Sequence, residues 1–183
     1  MPNIHRLGIL LLLLVIAASA QRRGHDPLTE AEADQMREVA QEPEKRLKLV
    51  IKFAQARLEA IEQLRGDPKM ADGRGKHIHD LLEDFTELVD EFGDNLDMYA
   101  RRKDDMGKAP GMVIIADSDF QLKLRALKEA SADPKNAKEA KEYEFALQNA
   151  IDAVDGSEKD TRELMDQLAK EKQEAKEAAK KKK

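Results

Sequence analysis

Two stretches decide the fold: Leu47-Lys-Leu-Val-Ile-Lys-Phe-Ala-Gln-Ala-Arg-Leu-Glu-Ala-Ile61 and Leu82-Glu-Asp-Phe-Thr-Glu-Leu-Val-Asp-Glu-Phe-Gly-Asp-Asn-Leu96. The first carries apolar residues at Leu47, Ile51, Ala54, Leu58 and Ile61. The second repeats the rhythm at Leu82, Phe85, Val89, Phe92 and Leu96. A 4-3-4-3 spacing puts all five on one stripe of a helix, the seam of a coiled-coil-like pair. Folded antiparallel about the Gly-rich segment 66–75, the stripes match as 47/96, 51/92, 54/89, 58/85 and 61/82. Ile78 and Tyr99 extend the second stripe. The fold predicted is all-α, with long antiparallel helices in coiled-coil-like hairpins, forming a bundle or an elongated pair of hairpins. The same register brings Lys45, Lys48 and Lys52 near Glu91, Asp94 and Asp97.

The second half repeats the pattern more weakly. Val113, Phe120, Leu124 and Leu127 mirror Val154, Leu147, Tyr143 and Ala140, with Asp117 opposite Ala150 interrupting the stripe. Thr161, Leu164 and Leu168 mirror Val154, Ile151 and Leu147 in turn. Glycine and proline divide the chain, giving expected helices near 29–42, 43–65, 76–106, 112–131, 134–155 and 157–178. Thr29 with Glu32 reads as a capping box. Asp133 before Pro134 reads as a cap followed by proline in the first turn, and Ser157 after Gly156 as a further cap.

The amino terminus reads as an address. Arg6 precedes an apolar run from Leu7 to Ala17, and Ala18-Ser19-Ala20 closes it with small residues. This is the pattern of a secretory signal peptide cleaved after residue 20. The expected product is exported and soluble, in the periplasm or outside the cell. The organisation expected is a signal peptide at 1–20, a flexible segment at 21–28, a helical bundle at 29–168 and a Lys-rich tail at 169–183. The whole chain has 32 Lys+Arg, 37 Asp+Glu and net charge −5. Removing Arg6 with the leader leaves 31 against 37, or −6, which argues against a nucleic-acid partner. Without cysteine the exported domain has neither a disulfide framework nor a lipidation site. No further apolar run approaches the roughly 20 residues of a membrane span.

Chemistry-bearing motifs are sparse. Gly-x-Ser-x-Gly, Walker and His-Glu-x-x-His patterns are missing, so no catalytic residue and no cofactor is assigned. His77-Ile-His79-Asp80 is the one site-like cluster. His79 and Glu83, four apart, share a helix face and suit a divalent metal, while His77 points elsewhere. The weak metal candidates are therefore His77, His79 and Glu83, against the plainer reading of solvated residues at a loop–helix junction. Eight acids and no base fall between Asp80 and Asp97, the ordinary pattern of a solvated face. The tail carries seven Lys and three Glu and ends in Lys180-Lys-Lys-Lys183. It suits weak contact with an anionic surface or, more plainly, a fraying helix end.

The segment Leu28-Thr29-Glu-Ala-Glu-Ala-Asp-Gln35, opening a helical, Met-containing, cysteine-free chain behind a leader, resembles Spy-like periplasmic chaperones, which carry Leu-Thr-x-x-Gln at helix starts. Glu32 stands here where that family has Gln, and this chain is acidic. The resemblance implies a holdase that shields unfolded clients. As a whole the chain is similar to uncharacterised exported all-helical bacterial proteins. The function expected is a non-enzymatic structural or protein-interaction role in the cell envelope, through a protein partner or self-association. The alternatives are a holdase and a metal-binding protein using His77, His79 and nearby acids.

Overall fold

A computed structural model describes residues 26–181. The leader expected over 1–20 lies outside them. Among the described residues the chain is all-α, with helices α1 (Glu30–Glu38), α2 (Pro43–Gly66), α3 (Arg74–Arg102), α4 (Ala109–Ser131) and α5 (Ala137–Lys181), and a 3-10 turn at Pro68–Met70. None of the described helices is long and apolar enough to cross a membrane.

The helix starts follow their local chemistry. Thr29 accepts from the Glu32 amide and Glu32 returns the bond to the Thr29 amide at 2.8 Å, closing the capping box. Pro43 opens a new helix instead of kinking an old one. Helix α4 begins at Ala109, three residues before the expected start, because Pro110 fits the first turn, where its missing N–H costs nothing. Asp133 caps a turn, accepting from the Lys135 amide, and α5 starts only after Asn136, whose carbonyl takes the first helical bond from Ala140. Helix α3 ends at Lys103, which adopts a left-handed conformation.

Four helices form the bundle. α3 packs on α2 and on α5, α5 also packs on α4, and α4 leans on α2. Consecutive α3 and α4 face each other across the core, where Phe85 and Phe120 meet edge to face with centroids 5.2 Å apart. Such ring pairs add about 0.5–1.5 kcal/mol beyond their buried area. α3 and α5 run parallel: Arg74 meets Glu139 at one end and Asp97 shares a cleft with Leu164 near the other.

The α3 stripe is buried as expected from Ile78 to Tyr99, widened by Leu88 and Asn95. On α2 the seam runs through Leu47, Val50, Ala54, Leu58 and Ile61; Ile51 is only half-buried. Contact with α1, α3 and α4 demands a broader buried face than a two-helix seam, and Phe53 and Arg57 supply it. Glu91 pairs with Arg46, and Lys45 with Glu42, so the expected lysine ladder against α3 is replaced by one arginine.

Two expectations for the second half are overturned. The α4–α5 register lies seven residues further along: Asp117 meets Ser157 instead of Ala150, and Ser131 meets Tyr143. A heptad pattern matches itself after seven residues, so the stripe alone does not choose between registers. Second, Gly156 does not end a helix and Ser157 does not cap one. Residues 137–181 form one 45-residue helix, about 68 Å long at 1.5 Å per residue. Thr161, Leu164 and Leu168 thus continue the stripe of Val154 instead of folding back on it. Among the described residues Leu168 is the last packed on the core; the helix continues beyond it for roughly 20 Å, with residues 169–180 exposed.

The loop between α3 and α4 turns on Gly107, with φ of 54°. A Cβ there would also lie 1.9 Å from Glu44 Oε2, although that carboxylate can swing aside. Gly107→Ala is expected to cost about 1–2 kcal/mol, the usual left-handed penalty. A midpoint in urea unchanged from the parent would contradict this.

Candidate acidic groove between α3 and α5

The eight acids of α3 divide by the helix face they occupy. Asp84 and Glu91 turn toward α2, where Arg57 and Arg46 meet them. Asp80 is held by Lys76 Nζ at 2.8 and 3.0 Å, and Glu83 lies 3.3 Å from His79 Nε2. Asp80 and Glu83, with Glu87, Asp90, Asp94 and Asp97, also line the groove toward α5. Its upper part, about 540 Å³, includes Asp80, Glu83 and Glu87 opposite Ala146 and Asn149. Its lower part, about 460 Å³, is bordered by Asp90, Asp94 and Asp97 from α3 and by Asp152 and Asp160 from α5. Asp90 has its pKa raised, first by desolvation against the helix surface and then by repulsion from Asp94 one turn on.

Two glycines form part of the lower cleft. Gly93 and Gly156 sit inside α3 and α5, and a Cβ built on either meets nothing within 4 Å. Neither close packing nor a left-handed backbone calls for glycine, yet each weakens its helix by about 1 kcal/mol relative to alanine. Gly93→Ala and Gly156→Ala should each raise stability by roughly that amount in a urea titration. A loss of stability would mean that the cleft closes in solution.

Behind the cleft wall lies Asp117, fully buried on α4. Ser157, which lines the cleft, donates to its Oδ2 at 2.9 Å, while its Oδ1 has no partner among the described residues. Burial drives the Asp117 pKa up to about 7, only partly offset by the Ser157 bond, with Glu158 adding repulsion. Among the described residues no histidine stands near Ser157 to serve as its base, since His77 and His79 are on the first turns of α3.

Of the expected metal candidates, the fold brings His79 and Glu83 together and adds Asp80, one potential ligand atom of each lying within 4.8 Å of the others. His77 is exposed and stands outside this group. One imidazole and two carboxylates suit a divalent ion, but Lys76 already neutralises Asp80.

Sequence reasoning missed Asp117, taken as a flaw in a stripe, and Asp152 and Asp160. The last two carried a signal: eight residues apart, they share one face of α5 with Gly156 between them. Comparison of the chain with protein-family models, with curated proteins and with solved structures finds no match.

Proposed function

We propose that the chain is an exported, non-enzymatic protein of the cell envelope that works by contact with a protein partner. The observation that supports this reading is apolar surface left uncovered. Ile115 and Leu122, a heptad apart on one face of α4, are 73 % and 67 % exposed, and Phe145 on α5 is 77 % exposed. Single exposed apolar residues are commonplace; two a heptad apart on one helix face, flanked by polar residues, suit a contact surface. Export rests on the amino-terminal leader pattern.

A photo-crosslinking residue at Leu122 in the producing cell is expected to trap a discrete partner, and the same residue at exposed Lys159 is not. Equal trapping at both positions, or none at either, overturns the reading. So does turnover of an envelope substrate that vanishes on changing one polar residue.

A holdase activity is the second reading. It is favoured by a groove of about 760 Å³ between α4 and α5, lined by Phe145, Leu147 and the alkyl parts of Lys128 and Lys141. Suppression of aggregation of a reduced, unfolded client, lost when Ile115, Leu122 and Phe145 are all changed to Ser, is the expected result. An unaltered aggregation trace with the parent chain removes this reading.

A further inference from the structure

We propose that the lower α3–α5 cleft binds a linear organic cation with two or more ammonium groups on a short alkyl chain. This site lies apart from the apolar stripe on α4, and it does not depend on the contact function proposed for that stripe.

Charge selects the sign of the ligand. Asp90, Asp94, Asp97, Asp152 and Asp160 border the cleft, and none is ion-paired among the described residues. Their spacing selects its shape. Asp90 and Asp97 are separated by about 10 Å along α3, and Asp152 and Asp160 by about 12 Å along α5, at 1.5 Å per residue. The carboxylates thus border an elongated space and do not converge: among the described residues the cluster close enough to chelate one ion is His79, Asp80 and Glu83, elsewhere on α3. A bare metal ion fits poorly in about 460 Å³ with its ligands so dispersed. Between the acids the lining is apolar, from Val89, Leu96, Ala153 and Leu164, which suits methylene groups between charged ends.

A second observation points to a ligand independently of the acids. Thr161 lines the cleft and is 3 % exposed, yet its hydroxyl has no hydrogen-bond partner among the described residues. A hydroxyl left without a protein partner at the cleft can accept from an ammonium group entering it. The open space at Gly93 and Gly156 has the same sense, since side chains there would occupy the volume a ligand needs.

Calorimetric titration of the purified chain with butane-1,4-diamine and with spermidine is the test, with butylamine and Ca²⁺ as comparators. Saturable 1:1 binding of both polyamines is expected, with butylamine at least tenfold weaker. The double change Asp94→Asn with Asp160→Asn should weaken binding at least tenfold. Gly156→Ala should weaken it several-fold while raising the thermal midpoint, a combination that impaired folding does not produce. No saturable polyamine binding overturns the proposal, as does tighter binding of Ca²⁺ or undiminished affinity in both variants. It also falls if sedimentation shows self-association relieved by the same Asp→Asn changes without polyamine binding, for then the cleft receives the Lys-rich helix end of a second copy.

Discussion

Replacing Asp117 by asparagine is expected to stabilise the protein by about 2 kcal/mol at pH 8 and to destabilise it by about 1 kcal/mol at pH 4. The carboxyl is fully buried, with one bond from Ser157 and one oxygen without a partner among the described residues. Its pKa rises from 3.8 to about 7, so the folded state holds a proton that the unfolded chain has released. Between those values the native state binds more protons, and stability falls as pH rises. Below 3.8 both states are protonated and the penalty is gone. Above about 7 it is fully present. Three units correspond to roughly 4 kcal/mol at 1.36 kcal/mol per unit. Asparagine keeps an acceptor for Ser157 but buries an amide that lacks partners, which takes back about 1–3 kcal/mol. Urea titrations of parent and variant at both pH values measure the difference. An equal gain at pH 4 and pH 8 would show that shape, and not charge, is responsible.

The same residue shows where the sequence was legible and where it was not. Periodicity is a local property, so the buried stripe on α3 from Ile78 to Tyr99 and the identities of Val113, Phe120, Leu124, Tyr143, Leu147 and Val154 as core residues were readable. Register is not local. Asp117 opposite Ala150 looked like a flaw; opposite Ser157, seven residues on, it finds a donor. Either alignment satisfies the heptad, and only the polar partner distinguishes them. Gly156 misled for a related reason. Glycine commonly ends a helix, but packing of Val154 below it and Thr161 and Leu164 beyond it carries α5 through at a cost of about 1 kcal/mol.

The acidic groove was half legible. Its α3 side was visible as a run of acids, and that run read correctly as lying off the seam. Which acids face α2 and which face α5 depends on helices placed far apart in the chain: Asp97 and Asp160 share one cleft across more than sixty residues of sequence. No pattern within one helix encodes a parallel neighbour. The glycines were counted as breakers because their effect on a helix is local, whereas the space they leave depends on the opposite wall.

Arg57 should give the other large effect: Arg57→Met is expected to cost about 3–5 kcal/mol near neutral pH and to release α1 first. Its guanidinium donates to Glu32 Oε1 and Oε2 at 2.8 and 2.7 Å and to the Pro27 carbonyl, and Nε lies 3.5 Å from Asp84. These side chains are only 10–14 % exposed, so solvent screens them weakly. Removing the cation takes the counter-ion from Glu32 and Asp84, and breaking a buried ion pair by deleting one partner carries a penalty of that size. Glu32 reports the same coupling. Its hydrogen bonds to Arg57 lead in pulling its pKa from 4.5 to about 2. A carboxylate depressed in the folded state contributes stability above its unfolded pKa and loses it as pH falls from 4.5 toward 2. A shift of that size, to which Thr29 also contributes, corresponds to about 3 kcal/mol, in line with the range above. The parent should therefore lose stability over that acid window more steeply than Arg57→Met. Because α1 is nine residues long and buries Met36 alone, the same ion pair is its main anchor. Hydrogen exchange should show amides 30–38 losing protection in Arg57→Met while those of α3 keep theirs. Retained protection across α1, or parallel acid titrations of parent and variant, would assign its docking to Leu28 and Met36 instead.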